Sequence, residues 1–330
     1  MKFLLPFNDT SLSPDLNTDL HTMFPVSLSV WYVLAVYYTF NILLGLLGNS
    51  LVLHAFHFPN ILDYKKVSIV ILTNLAVADI LCVFVQGLPT VGVFFADRWP
   101  FGSELCHFLA LMKYILFYME VSLTMILSAH RAYILTYPFK GRQITKRSTI
   151  KTMITFWIIS FLLNVVGLVG SDVTFFDARF LSCNAGIYLK KEMEWEGYFL
   201  GTCLFIAAFI LGVSLLVIGC KAKRARIRRK RREAAIAHFN LHQFSWRRRF
   251  WNFIQRNKST VTVVLVAVFF MICVAPVFLV HVLKYLGLHL DPRLALFQEI
   301  FVMLNVVVNP FIYSLTNPTF LQFYRERWKF

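Results

Sequence analysis

Residues 260–286 read TVTVVLVAVFFMICVAPVFLVHVLKYL, an apolar run whose one charged residue, Lys284, lies near its end. A helix that crosses a membrane needs about 20 mostly apolar residues, because each adds about 1.5 Å across a hydrocarbon core of about 30 Å. The run is long enough, and it lacks the alternation of apolar and polar residues that marks a membrane β-strand. It therefore predicts a transmembrane helix.

Six further stretches have the same character, and the composition agrees with them. Hydrophobic residues make up 58% of the 330-residue chain and charged residues only 15%, against roughly 45–50% and about 25% in soluble proteins. The sequence therefore predicts an all-α membrane protein built as a seven-transmembrane helix bundle. The predicted spans are Val30–Phe56, Val67–Phe95, Cys106–Leu135, Thr152–Val169, Tyr198–Cys220, Thr260–Leu286 and Leu294–Leu315.

The distribution of charge predicts the orientation of the spans. Lys and Arg gather in the odd-numbered connections, most densely in a loop at about 221–258 that opens with KAKRARIRRKRR. Basic loops stay on the cytoplasmic side, so residues 1–29 are predicted to be extracellular, residues 30–315 to form the membrane domain, and residues 316–330 to be a cytoplasmic tail. The net charge of +16 then indicates topology and attraction to anionic membrane lipids, not nucleic-acid binding. Asn8-Asp9-Thr10 is a glycosylation sequon on the predicted outer side.

Short motifs recur in and beside the spans in a fixed order. They are Gly48-Asn49-Ser50, Leu75–Asp79, Trp99–Gly102, Cys106 followed by Arg131, Trp157, Pro276, and Asn309–Tyr313 as N-P-F-I-Y. Over nearly the whole chain this set resembles the rhodopsin-like (class A) G-protein-coupled receptors. The resemblance implies a plasma-membrane receptor, not an enzyme, that binds an extracellular ligand and activates heterotrimeric G proteins. The stretch around Trp99–Gly102 is weakly similar to the melatonin-receptor group and its invertebrate orphan relatives.

The resemblance also implies a disulfide and an ion site. Cys106 and Cys183 would tie the loop after span four across the mouth of the bundle. Asp79, Asn305 and Asn309 resemble the family's sodium-binding cluster, and Glu120 stands where the family has a small hydroxyl residue. Two neighbouring carboxylates in low dielectric do not both ionise without compensation, so we expect a bound sodium ion or a retained proton there. A purely structural polar network is the alternative, and no other cofactor is expected.

The residues that would couple to a G protein depart from the family pattern. The family's Asp/Glu-Arg-Tyr reads His130-Arg131-Ala132, and the acid expected at the inner end of span six is replaced by Arg256. Both usual restraints on Arg131 are therefore missing. This leads to the hypothesis of high agonist-independent activity, with the alternative that other packing holds the resting state. The family's activation elements are otherwise represented by Phe270, Pro276, Asn309, Pro310 and Tyr313.

The predicted ligand pocket contains a positively charged side chain, Lys113. Lys113 lies where receptors for amines place an Asp, so biogenic amines are not expected. Lys113 would anchor a carboxylate or phosphate of the ligand, or it would pair internally with Glu299 of span seven. Span seven carries no Lys between Leu294 and Leu315, which excludes a retinal Schiff base. Further predicted pocket residues are Tyr114, His281, Lys284 and Gln298.

The C-terminal stretch Pro318–Phe330 is predicted to form a short amphipathic helix on the inner membrane surface. No Ser or Thr follows Thr319, so phosphorylation-dependent arrestin binding is expected to be weak. Two other functions stay open. A non-signalling decoy receptor would fit His130, Arg256 and Val274, and an ion channel or transporter would use the Asp79 and Glu120 carboxylates as an ion path.

Overall fold

The computed structural model describes residues 27–57, 67–141, 143–170, 174–177, 181–185, 209–225, 227–228, 258–286, 288 and 292–316. Seven long helices lie in these ranges. They are α1 (Leu28–His57), α2 (Val67–Ala96), α3 (Gly102–Thr136), α4 (Lys146–Gly170), α5 (residues 209–225), α6 (Lys258–Tyr285) and α7 (Pro292–Thr316). The predicted all-α seven-helix architecture is confirmed, and α1, α2, α3, α6 and α7 are long and apolar enough to cross a membrane.

Five helices begin two to six residues before the apolar runs that predicted them, namely α1, α3, α4, α6 and α7. Helix α4 begins at Lys146, six residues before the predicted start of its span, where the Thr145 hydroxyl accepts the Ser148 backbone N–H at 3.1 Å. This is an N-cap, which satisfies a backbone donor that the first turn leaves unpaired. At the other end of a helix, Asp97 adopts a left-handed φ of 53° and stops α2.

A π-helical segment, Val83–Gly87, interrupts α2. Pro89 follows it and cannot donate a backbone hydrogen bond, and in a regular α-helix its ring would clash with the carbonyl four residues earlier. In the π-segment the Leu88 N–H bonds to the Val83 carbonyl, one residue further back than in an α-helix. The extra residue relieves the clash and turns the end of α2 relative to its beginning.

Helix α3 lies at the centre and contacts α2, α4 and α6, while α7 packs between α1 and α6. Close approach of α1 to α7 needs glycine, since a Cβ on Gly48 would lie 2.9 Å from Pro310 Cβ. The opposite face of α1 is apolar and exposed. Its side chains recur three or four residues apart, as expected for a helix face in contact with lipid: Tyr32, Val36, Phe40, Leu43 and Leu47.

The described residues also contain two short strands. A two-stranded antiparallel hairpin, β1 (Thr174–Asp177) and β2 (Ser182–Ala185), follows α4 and pairs Phe176 with Cys183. Both strands pack against α3. We call this end of the bundle the hairpin end, and the end where α3 meets the beginning of α6 the Arg131 end.

Candidate functional site

The middle of the bundle contains a buried polar cluster, which we call the central cluster. The Asn309 amide donates to Asp79 Oδ2 at 3.0 Å, and the Asn305 amide donates to Glu120 Oε2 at 3.1 Å. The Cys82 thiol donates to the other Glu120 oxygen at 3.1 Å. The structure thus brings together all four residues predicted for the ion site, and it adds Cys82.

The two carboxyl groups of the central cluster are not equivalent. Both oxygens of Glu120 accept a hydrogen bond, which suits an ionised carboxylate. Asp79 is fully buried, and its Oδ1 has no hydrogen-bond partner among the described residues. An uncompensated anionic oxygen at this depth is costly, so an ionised Asp79 would need a counter-charge at Oδ1, and a protonated Asp79 would not.

At the hairpin end, Lys113 of α3 forms a buried ion pair with Glu299 of α7. The Lys113 Nζ lies 2.8 Å from Glu299 Oε1 and also donates to the Ser182 hydroxyl at 2.8 Å. The side chains are only 13% and 4% exposed. Of the two interpretations open from the sequence, the internal pair is the one the structure contains.

One buried glutamine lies beside Lys113, and a second precedes Glu299 along α7. Gln86 lines a small cavity together with Lys113 and Ser182, with room for about one water molecule. Gln298 directly precedes Glu299. The Oε1 atoms of both glutamines lack a hydrogen-bond partner in the described ranges. Among the other predicted pocket residues, Tyr114 is half-buried on α3, whereas the side chains of His281 and Lys284 lie outside the described part of the structure.

The predicted disulfide is present. Cys106 near the start of α3 bonds to Cys183 of β2, with the Cα atoms 5.3 Å apart. Because Ser182 adjoins Cys183, the bridge positions the hydroxyl that contacts Lys113. The neighbouring Trp99 indole donates to the Gly102 carbonyl at 2.8 Å and packs edge-on against Phe101, so the first turn of α3 is held by local contacts as well as by the bridge.

At the Arg131 end, a hydroxyl takes the place of the missing acids. The guanidinium of Arg131 donates through Nε, at 3.0 Å, and through Nη2 to Oγ1 of Thr260, near the start of α6. The sequence indicated that both acidic restraints are absent, yet Arg131 is not without a restraint. His130 beside it is half-buried, and its Nδ1 has no partner among the described residues.

A second hydroxyl contact holds the same part of α6. Thr262 donates to the Thr316 hydroxyl on α7 at 2.7 Å, and Thr316 in turn donates to the Ile312 carbonyl. Helix α6 is therefore tied to α3 and to α7 within one turn, in both cases without a carboxylate.

The remaining predicted activation residues are all buried. Phe270 packs with Val121, Leu211 and Ala267, and Tyr313 lies near Phe56. Pro276 and Pro310 lie inside α6 and α7, where each removes one backbone hydrogen bond.

Sequence reasoning missed Thr260, Ser182 and Cys82. Each is a small polar residue that has no motif around it and gains its partner only when two helices pack. Three predictions fall outside the described residues: the glycosylation sequon at Asn8, the basic residue Arg256, and the amphipathic stretch Pro318–Phe330.

Comparison with known proteins places this arrangement in a family. Residues 48–313 match the model of the 7 transmembrane receptor (rhodopsin family). The chain is 29% identical to "Rhodopsin, GQ-coupled" of Mizuhopecten yessoensis over 62% of its length and 42% of that protein. It is 31% identical to the human "Probable G-protein coupled receptor 174" over 47% of its length and 43% of that protein. The chain thus spans less than half the length of these two curated relatives.

The fold is also that of a known structure. The crystal structure of squid rhodopsin superposes with a TM-score of 0.72 at 18% identity, covering 92% of this chain and 87% of that one. The family match extends from the Gly48-Asn49 motif in α1 to Tyr313 in α7, which is most of the chain. The chain therefore belongs to the rhodopsin family of seven-transmembrane receptors.

Proposed function

We propose that this protein is a plasma-membrane receptor that binds an extracellular ligand and activates heterotrimeric G proteins. The hairpin end would face outside, where a disulfide is stable, and the Arg131 end would face the cytoplasm. The basic residues that flank the Arg131 end, among them Lys140, Lys146 and Arg147, support this orientation. The tail after Thr316 would then be cytoplasmic.

The observation that carries the proposal is the contact between Arg131 and Thr260. A charged group that bridges two helices at one end of a bundle is a two-state element, because moving α6 outward must break it. Breaking it would free both Arg131 and the space between α3 and α6 for a cytoplasmic partner. A neutral hydroxyl holds Arg131 less strongly than a carboxylate would, which favours measurable signalling without ligand.

Measurement of signalling without ligand tests this proposal. We predict opposite effects for substitutions of Thr260 and of Arg131. Thr260→Ala should raise the basal signal roughly three- to tenfold, because a hydrogen bond to a charged group contributes about 1.5–3 kcal/mol and part of that is lost to water. Arg131→Ala should reduce the signal to background, because the coupling residue itself is gone. Second messengers for each major G-protein class would be measured at matched surface expression.

Ser259→Ala is the matched control, since Ser259 is exposed on the turn that precedes Thr260 and its removal should change nothing. A Thr260→Ala signal equal to wild type would contradict the restraint. A signal that survives Arg131→Ala would contradict its role in coupling. Background signals from every variant, with or without candidate ligands, would favour the decoy receptor instead.

We also propose that Asp79 Oδ1 binds a sodium ion. Support comes from its burial without a partner and from Glu120, whose two oxygens are already engaged. We predict that sodium raises the unfolding midpoint of the purified protein by about 2–4 °C relative to equal ionic strength of choline, and that Asp79→Asn removes this effect. Asp97→Asn is the control. Stabilisation by acidification in the absence of any sodium effect would assign a proton to the site.

The ligand is proposed to be something other than a biogenic amine or retinal. A ligand with only an ammonium group would have to displace Lys113 from Glu299 and leave it without a counter-charge. Helix α7 from Pro292 to Thr316 contains no lysine for a Schiff base.

A further inference from the structure

We propose that the Lys113–Glu299 pair is the recognition site for a dipolar group, a ligand moiety that carries an anionic and a cationic centre a few bonds apart. The inference rests on the proposed receptor function and specifies its ligand. A ligand with only an acidic group is the simpler expectation for Lys113, but it does not satisfy the site. It would displace Glu299 from Lys113 and leave the buried Glu299 carboxylate without a counter-charge.

The pair is enclosed within the bundle. Both side chains are almost fully buried, and Lys113 already donates to Glu299 and Ser182. Removing one partner of a buried pair costs several kcal/mol, because the other charge is then left uncompensated. A ligand with one charge would incur this cost at Glu299 or at Lys113, whereas a dipolar ligand supplies a counter-charge to each.

The surroundings of the pair are polar. The Ser182 hydroxyl is beside Lys113, so a ligand carboxylate would find two donors there. One acceptor lies in the cavity itself, because Gln86, which lines it together with Lys113 and Ser182, has a buried Oε1 without a partner in the described structure. A ligand ammonium group that paired with Glu299 and reached this cavity would also donate to Gln86 Oε1, which has no donor in the resting state.

The position of the pair gives such a ligand a route by which to act on the bundle. The cavity beside Lys113 holds about one water molecule, so the ligand must separate Lys113 from Glu299 and thereby move α3 relative to α7. The same two helices are joined again two turns away, where Asn305 donates to Glu120. A ligand bound between Lys113 and Glu299 would therefore strain the central cluster, which lies between that ligand and Arg131.

Thermal stability of the purified full chain tests the inference without any G protein. The probes are 4-aminobutanoate and 6-aminohexanoate, compared with butanoate, hexanoate, butylammonium and hexylammonium, all at millimolar concentration. We expect the unfolding midpoint to rise by about 2 °C or more with at least one dipolar probe, and to stay unchanged with every probe that has a single charge.

Variants assign the effect to the pair. Glu299→Gln and Lys113→Gln should abolish the shift, and Ser182→Ala, which leaves the pair intact, should reduce it. Lys151→Gln on the exposed start of α4 should retain it. Arg131→Ala should also retain it, so a failure of G-protein coupling would not be mistaken for a failure of binding.

Three results would overturn the inference. An equal shift with hexanoate would make Lys113 a simple anion anchor, and an equal shift with hexylammonium would make Glu299 a cation site. The absence of a shift with both dipolar probes would leave the pair as a structural element only.

Discussion

Replacing Glu299 by Leu should lower the free energy of unfolding by about 3–5 kcal/mol, because Lys113 would remain buried beside an apolar side chain. Lys113 and Glu299 are 13% and 4% exposed, and their charged atoms lie 2.8 Å apart. Adding Lys113→Met to the first change should recover most of the loss, since the pair is then replaced by apolar groups of similar volume. The expected result is a strongly non-additive double-mutant cycle.

The measurement is the unfolding midpoint, in one detergent and at matched purity, of the wild type, Glu299→Leu, Lys113→Met and the double variant. Glu104→Leu is the control, because Glu104 is exposed in the first turn of α3 and should have little effect. A double variant that loses as much stability as the two single variants together would contradict the argument. It would mean that Lys113 and Glu299 each contribute through separate contacts.

The helix bundle could be predicted from the sequence because insertion into a membrane depends on hydrophobicity, which is a property of each single residue. Apolar runs such as Thr260–Leu286 must be helical in lipid, where every backbone donor needs an internal partner. The Cys106–Cys183 bridge was expected from the family resemblance, and the pairing of Lys113 with Glu299 from the need of a buried charge for a partner.

The contacts that define the candidate site depend instead on helix rotation. Successive residues of a helix point about 100° apart, so whether Thr260 or Ser259 faces Arg131 is settled only by the packing of α3 against α6. The same applies to Cys82, which meets Glu120 just before the π-segment shifts the register of α2. The hairpin was missed because its strands are only four residues long and lie between helices.

Breaking the disulfide should give the other large loss of stability, about 2–3 kcal/mol. The bridge closes a loop with a sequence separation of 77 residues, for which the chain-entropy relation gives about 4.5 kcal/mol in a flexible chain. The expected value is lower because α3 and α4 lie within that loop, and helices that persist in the unfolded state in a membrane leave less freedom to lose. Cys106→Ser, Cys183→Ser and the double variant should lose equal amounts, since each removes the same bond.

The disulfide also acts on the ion pair, and this gives the prediction a second readout. Without the bridge, β2 is no longer covalently attached to α3, and the Ser182 hydroxyl should move away from Lys113. The stabilisation by dipolar probes should then fall to the level of Ser182→Ala, while Cys220→Ser, which alters an exposed free thiol on α5, should match wild type. A bridge variant that lost stability but kept the full response to the probes would show that Ser182 is held by the packing of the hairpin on α3 and does not depend on the covalent bond.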